Sequence, residues 1–352
     1  MRAAAPVAGL LTMSLAFALP AAQAGRKVSK LAAGVYAIEH AAGPFQSGNT
    51  TVIIGERQVF VVDSCFLPSE AREDLALIRQ WTAKPVAFVL NTHFHNDHNF
   101  GNSVYLQAFP AVTIVAHAET KREMDNFGPG SAGRLERGAA ALRQVLATRT
   151  RRDGKPLTAE DEGAVKEALA ERTHVIDELN KLPFQSATLT FERDFTVDLG
   201  KQEVQVKFLG RGNTSGDAVV YLPAARIVVA GDLVVHPLPS VSDGYPAEWS
   251  RTLQALAQLD ADTLVPGHGP VLHDKAYLGL LRELFQSAVE QLNAELRRTG
   301  PAMFRTLEEV QPAVDLSPFR QRFAGADAEL GAAFDETARG LVKLALTEAS
   351  LR

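Results

Sequence analysis

Thr92-His93-Phe94-His95-Asn96-Asp97-His98 places three histidines and an aspartate within six consecutive positions, just after the apolar run Val86–Leu90. That run reads as a short buried strand. The chain leaves it extended, so His93 and His95, two residues apart, point to the same side. Two neutral imidazoles on one side can share one divalent cation. Asp97 and His98 follow as the loop turns and address a neighbouring position. Nine histidines scattered over 352 residues would rarely give such a group. The stretch therefore reads as a site for zinc or a similar borderline metal rather than as a polar loop.

Two later strands end in a matching way. Val228-Val229-Ala230 runs into Gly231-Asp232, and Leu264-Val265-Pro266 runs into Gly267-His268-Gly269. Glycine beside each candidate ligand lets backbone crowd close to a metal. A lone Gly-Asp is usually a turn, and Gly-His-Gly alone says little more. In this order after the first motif they become a signature. Neither Gly-x-Ser-x-Gly nor Ser-x-x-Lys stands near the motifs, so no serine nucleophile is called for.

The ordered set His-x-His-x-Asp-His, Thr-x-Gly, Gly-Asp and Gly-His-Gly, spread over roughly Val28–Val271, resembles the metallo-β-lactamase superfamily of metal-dependent hydrolases. The resemblance implies an α/β fold, a four-layer αβ/βα sandwich with metals at one edge of two packed sheets. It implies His93 and His95 on the first metal, Asp97, His98 and His268 on the second, and Asp232 bridging both. An aspartate at that position argues against the β-lactamase branch that uses cysteine there. One departure stands out: where most relatives carry a third histidine before Thr-x-Gly, this chain reads Gly212-Asn213-Thr214-Ser215-Gly216-Asp217. An amide oxygen is a neutral, harder and weaker donor than imidazole. Asn213 is thus expected to ligate weakly, to hold a water, or to leave a position open. His236, four residues beyond Asp232, either fills that gap or has a supporting or local role. Asp63, His117 and Asp217 are expected around the ligands: Asp63 as support near the base of the metal loop, Asp217 steadying the Asn213 loop. His117 orients a ligand or, the blander reading, is a structural histidine. His40, His174 and His273 have no motif around them and read as surface residues.

Residues 1–24 read as a secretory signal peptide: Arg2, an apolar Val7–Leu19, and the small-x-small site Ala22-Gln23-Ala24. The apolar run is short of the about 20 residues a bilayer span needs. The mature protein is expected to be exported, in the periplasm, without stable membrane insertion. Residues 25–271 form the metal-binding domain, with a charge-rich helical insertion at 119–183. Residues 272–352 form a helical C-terminal extension. Leu135, Leu142 and Leu146 stripe one helix of the insertion. Val165, Leu169, Ile176 and Leu179 stripe a second, opened by a Thr158/Asp161 capping box. Arg149–Lys155 between them reads as a solvated loop. The insertion and the C-terminal helices are expected to lid the metal cleft. Formal charge is −5 with no long basic tract, so a nucleic-acid partner is not expected. The single cysteine, Cys65, forbids an internal disulfide and reads as a buried small hydrophobe.

Hydrolysis is the chemistry expected of such a site, because coordination lowers the pKa of water to about 7 and makes hydroxide available at neutral pH. Asp97 is placed to orient that nucleophile or take its proton. The expected cofactor is Zn2+, one or two ions, with iron or manganese as alternatives. The substrate is a small molecule with an ester, thioester, lactone or β-lactam bond. An iron-dependent oxidoreductase resembling persulfide dioxygenases and a metal-binding protein without turnover are the competing readings. Phe94 reads as a wall of the cleft, and Trp249 as core. Oligomeric state is not legible.

Overall fold

The computed structural model of the chain describes residues 25–151 and 153–351; the expected signal peptide lies outside the described residues. Lys27–Ala32 (β1), Val35–Glu39 (β2), Thr50–Ile54 (β3) and Val59–Val62 (β4) pair antiparallel in chain order. β5 (Val86–Asn91), β6 (Thr113–His117) and β7 (Leu189–Phe191) extend this seven-stranded sheet in parallel. Parallel neighbours need long crossovers. These are α1 (Pro68–Trp81), α2 (Asn102–Ala108) and the run α3 (Ala118–Phe127), α4 (Ser131–Thr148) and α5 (Ala159–Leu179). The second sheet runs through β8 (Asp194–Asp198), β9 (Glu203–Phe208), β10 (Ala218–Leu222), β11 (Ile227–Val235) and β12 (Thr263–His268). It is antiparallel except for β11 and β12, whose crossover is α6 (Pro246–Gln258).

Alternation along the strands makes the layers. In β4, Val59 and Val61 face the helices while Phe60 and Val62 face the other sheet. Phe60, Leu90 and Val115 of the first sheet meet Val206, Val220, Val229 and Val265 of the second in one apolar interior. α1 and α2 cover the first sheet, and α6, α7 (Ala276–Thr299) and α10 (Ala328–Ser350) cover the second. This is the expected four-layer αβ/βα sandwich. Between α7 and α10 lie the short helices α8 (Leu307–Val310) and α9 (Ser317–Ala324).

Three expectations need correcting. β11 does not end at Ala230 but runs on to Val235, so Asp232 lies inside the strand. Its register with β12 shifts on both sides of Gly231, and Gly231 takes φ 52°. Such a bulge re-aims the following side chain. Next, the C-terminal helices are no lid. Leu281, Leu284 and Phe285 of α7 and Phe334, Leu341 and Val342 of α10 are buried with Trp249 and Leu253 against the second sheet. Finally, the stripes of α4 and α5 are half-buried except at Ile176 and Leu179, since the two helices pack mainly on each other. The far end of α5 reaches a buried cluster, where Val175 and Leu179 lie with Phe66 and Phe100, and Leu135 of α4 packs on it. The Thr158/Asp161 capping box is present. Arg149 and Arg151 of the connecting loop pair with Glu162 and Asp161 in solvent. No helix among the described residues is long and apolar enough to cross a membrane.

Candidate metal centre

The metal-loop motif hangs from the end of β5 and is pinned from beneath by Asp63. That carboxylate accepts from the Thr92 amide at 2.8 Å and the Thr92 hydroxyl at 2.9 Å, and lies 2.8 Å from His98 Nδ1. A carboxylate partner keeps a proton on His98 Nδ1, so Nε2 is the nitrogen left for a metal. Thr92 does the same for His93: its hydroxyl donates to Asp63, so at 3.0 Å it can only accept from His93 Nδ1. Asp63 holds a left-handed φ of 60° to do this. Replacing Asp63 with Ala frees both rings and is expected to weaken metal affinity about 10- to 100-fold. Competition against a chromophoric chelator measures it.

The freed nitrogens face acidic oxygens and one another. His93 Nε2 lies 3.0 Å from His95 Nδ1 and 3.7 Å from Asp232 Oδ2. His98 Nε2 lies 3.3 Å from His268 Nε2, 3.3 Å from Asp232 Oδ1 and 3.4 Å from Asp97 Oδ2. His268 Nε2 lies 2.9 Å from Asp97 Oδ2 and 3.6 Å from Asp232 Oδ1. Two groups of mutually close donors result, His93/His98/Asp232 and Asp97/His98/His268. His98 belongs to both, and Asp232 turns Oδ2 toward His93 and Oδ1 toward His98 and His268. A tetrahedral ion with bonds of about 2.0–2.1 Å spaces its ligand atoms about 3.3 Å apart, close to these separations. Asp232 Oδ1 is buried and accepts no hydrogen bond. It lies 3.3 Å from His98 Nε2, a spacing at which either a proton on that nitrogen or a cation fits between the two. The donor set fits divalent metal.

Electrostatics agree. Burial pushes the Asp97 carboxyl up, but His98 and His268 outweigh it and hold Asp97 well below its ordinary value. Asp232 is also lowered against burial, by His268, His98 and His93. His98 is raised despite burial by Asp97, Asp63 and Asp232, while burial and His98 together lower His93.

His95 belongs to neither donor group but turns Nδ1 toward His93, while its Nε2 lies 3.2 Å from Asp243 Oδ2. Asp243 was not legible, lying 148 residues away in a loop without pattern. The same holds for Asn49, whose amide nitrogen donates to the carbonyls of Pro266 and Gly269 and so staples the His268 turn. Gly48 has no side chain because a Cβ there would strike the His98 ring, and Gly267 is bare because a Cβ would strike Asp232 Oδ1. A cavity of about 490 Å³ opens over the cluster. Its floor is His95, Asp97, Asp232 and His268; Phe45 and Phe66 form one wall, Ser240 and Asp243 the other. Of the insertion, Phe127 and Arg134 border a neighbouring recess with Phe94 and His95.

Asn213 is fully buried, its Nδ2 donating to the carbonyl of Ser240 on the cavity wall, its Oδ1 without a partner. Asp217 holds that loop, accepting from the amides of Gly212 and Thr214 and the hydroxyl of Thr214. Burial pushes its carboxyl up to about 7. His117 stands apart from the cluster, caps α3 through the Glu119 amide and faces the Glu192 carbonyl, so it is structural. His236 packs its ring on Tyr277 and does not join either donor group. His40, expected at the surface, is buried beside Cys65 and Asp74; His174 and His273 are exposed.

The family described as the metallo-beta-lactamase superfamily matches this chain over residues 43–268. The linear primary-alkylsulfatase of Pseudomonas sp. (strain ATCC 19151) is 26% identical over 224 residues, 60% of this chain and 39% of that protein. The metallo-beta-lactamase type 2 of Bacillus sp. (strain 170) is 33% identical over 81 residues, 21% of this chain and 32% of that protein. The chain thus matches well under half the length of either curated relative. Among solved structures, the metallo-beta-lactamase from Pontibacter korlensis superposes with a TM-score of 0.51 at 20% identity, covering 74% of this chain and 99% of that one. TMB-1 superposes with a TM-score of 0.50 at 19% identity, covering 75% and 98%. These likenesses show the shared fold.

Proposed function

This chain belongs to the metallo-beta-lactamase superfamily, and from that premise we propose that it is a metal-dependent hydrolase of a small-molecule substrate. The observation that carries the reading is Asp232, a buried carboxylate with one oxygen toward His93 and the other toward His98 and His268. His93, His95 and Asp232 would hold one ion, and Asp97, His98, His268 and Asp232 a second, with Zn2+ the cation that suits this nitrogen and oxygen set. Such ions, when bound, make hydroxide available at neutral pH and polarise the oxygen of the bond to be cleaved.

The chain's own groups supply the rest. Asp97 lines the cavity and keeps its carboxylate ionised, so it can orient a water or take its proton. Asp63 and Thr92 fix the ring orientations, and Asp243 fixes His95 from the solvent side. Phe45 and Phe66 give the substrate an apolar surface and thin the water over the floor. The bond cleaved is an ester, thioester, lactone or β-lactam. The names of the relatives, a sulfatase and lactamases, favour hydrolysis over iron-dependent oxidation. Export to the periplasm belongs to the same proposal and is read by cell fractionation.

Chelation should abolish turnover across a panel of nitrocefin, lactone, thioester and alkyl sulfate substrates, and zinc should restore it. Hydrolysis that survives complete chelation would overturn the proposal, as would metal binding without turnover of any member. Asn213→His is expected to tighten metal retention on dialysis, since an imidazole is the stronger zinc donor. Unchanged retention would place Asn213 away from the cation.

A further inference from the structure

We propose that His40, Cys65 and Asp74, with Thr50, form a second and separate buried cation site, suited to a thiophilic divalent ion such as Zn2+. The four residues come from the end of β2, the start of β3, the turn after β4 and the body of α1. Cys65 Sγ lies 3.1 Å from Asp74 Oδ2 and 3.6 Å from His40 Nε2. His40 Nε2 lies 3.2 Å from Asp74 Oδ2. Thr50 Oγ1 closes the set, 3.5 Å from His40 Nε2 and 3.7 Å from Cys65 Sγ. A tetrahedral zinc with one sulfur at about 2.3 Å and nitrogen or oxygen at about 2.0–2.1 Å has edges of about 3.3–3.6 Å. The observed spacings bracket those edges.

The surroundings are those of a ligand set. Cys65, Asp74 and Thr50 are fully buried and His40 is 7% exposed. The second oxygen of Asp74 accepts from Arg26 Nε at 3.2 Å, the outer contact that steadies a ligating carboxylate. Arg26 also pairs with Glu73, so its charge is met elsewhere. One thiolate and one carboxylate then neutralise a divalent ion, and the thiol proton leaves to solvent as the sulfur–metal bond forms. Cys65 sits at φ 74°, an outlier for a side chain of its kind. His40 Nδ1 has no partner, and the ring lines a cavity of about 460 Å³ with Ala42, Gln46, His236 and His268. That cavity is the entry path. An ion here would brace the catalytic floor from below, because the same turn carries Asp63, which orients His98, and Ser64, whose amide donates to the His98 carbonyl.

The test exploits sulfur. Cys65 is the single cysteine of the chain, and the catalytic cluster offers only nitrogen and oxygen. Zinc-saturated full-length protein should show a sulfur scatterer at about 2.3 Å by X-ray absorption. The cobalt-substituted protein should show a thiolate-to-metal charge-transfer band in the near ultraviolet. Cys65→Ser should lose both signals and one equivalent of metal. Asp232→Ala, which disables the catalytic cluster, should keep them. A zinc-saturated wild type with nitrogen and oxygen scatterers alone would overturn the proposal and leave the four residues as a hydrogen-bonded knot. That reading needs no variant to fold, and it is independent of whether hydrolysis is found.

Discussion

Asp232→Ala is expected to lower turnover about 10³-fold and to release bound metal. The carboxylate faces both halves of the cluster, 3.7 Å from His93 Nε2 and 3.3 Å from His98 Nε2. Its loss removes the carboxylate that faces His93, His98 and His268 together. If metal supplies several kcal/mol of transition-state stabilisation, a loss of about 4 kcal/mol at 1.36 kcal/mol per decade gives that factor. Asp232→Asn keeps the volume and removes the charge, so it separates the electrostatic effect from a packing defect. Metal content measured beside kcat for both variants decides the matter; a fully active, metal-replete Asp232→Asn protein would contradict the assignment.

Trp249→Ala carries the largest expected cost in stability. The indole is fully buried, its ring 4.5 Å from that of Phe285 and its Nε1 donating to the Leu233 carbonyl at 3.1 Å. Truncating a core tryptophan costs about 3–5 kcal/mol, and the orphaned carbonyl adds to it. In a chain of this size the melting temperature should fall by roughly 5–10 °C. The effect should reach the site as well, because Trp249 lies against Gly212 and Gly244, which flank the Asn213 loop in space. Thermal unfolding with and without zinc reads both consequences. A shift below about 1 °C would mean that the outer helical layer does not depend on this ring.

The site was legible where its donors are close in sequence. His93, His95, Asp97 and His98 fall within one loop because a strand end delivers them together, and glycine marks Asp232 and His268 as places of close approach. Asp243, Asn49, Gly48 and the His40–Cys65–Asp74 group were not legible, since each acts across many residues of chain and none repeats with a helical or strand period. His40 read as a surface residue because nothing local burdens it; the β2–β3 connection folds it against α1. Strand existence was read well where an apolar run was continuous, as in Ala218–Leu222, whose two faces are both covered. The extent of β11 was missed because the bulge at Gly231 hides four further strand residues behind a glycine that normally signals an end. The half-buried α4–α5 hairpin shows the limit of stripes: a stripe says that a face is covered, not by what.

Three separated segments bring their donors to one place, and cations are expected between them. Zinc-edge anomalous diffraction from crystals of the zinc-loaded chain tests it most directly. Two peaks about 3.5–4 Å apart are expected, one beside His93, His95 and Asp232 and the other beside Asp97, His98 and His268. Zinc bound only outside that cleft, or no peak at saturating zinc with the imidazoles still facing one another, would contradict it.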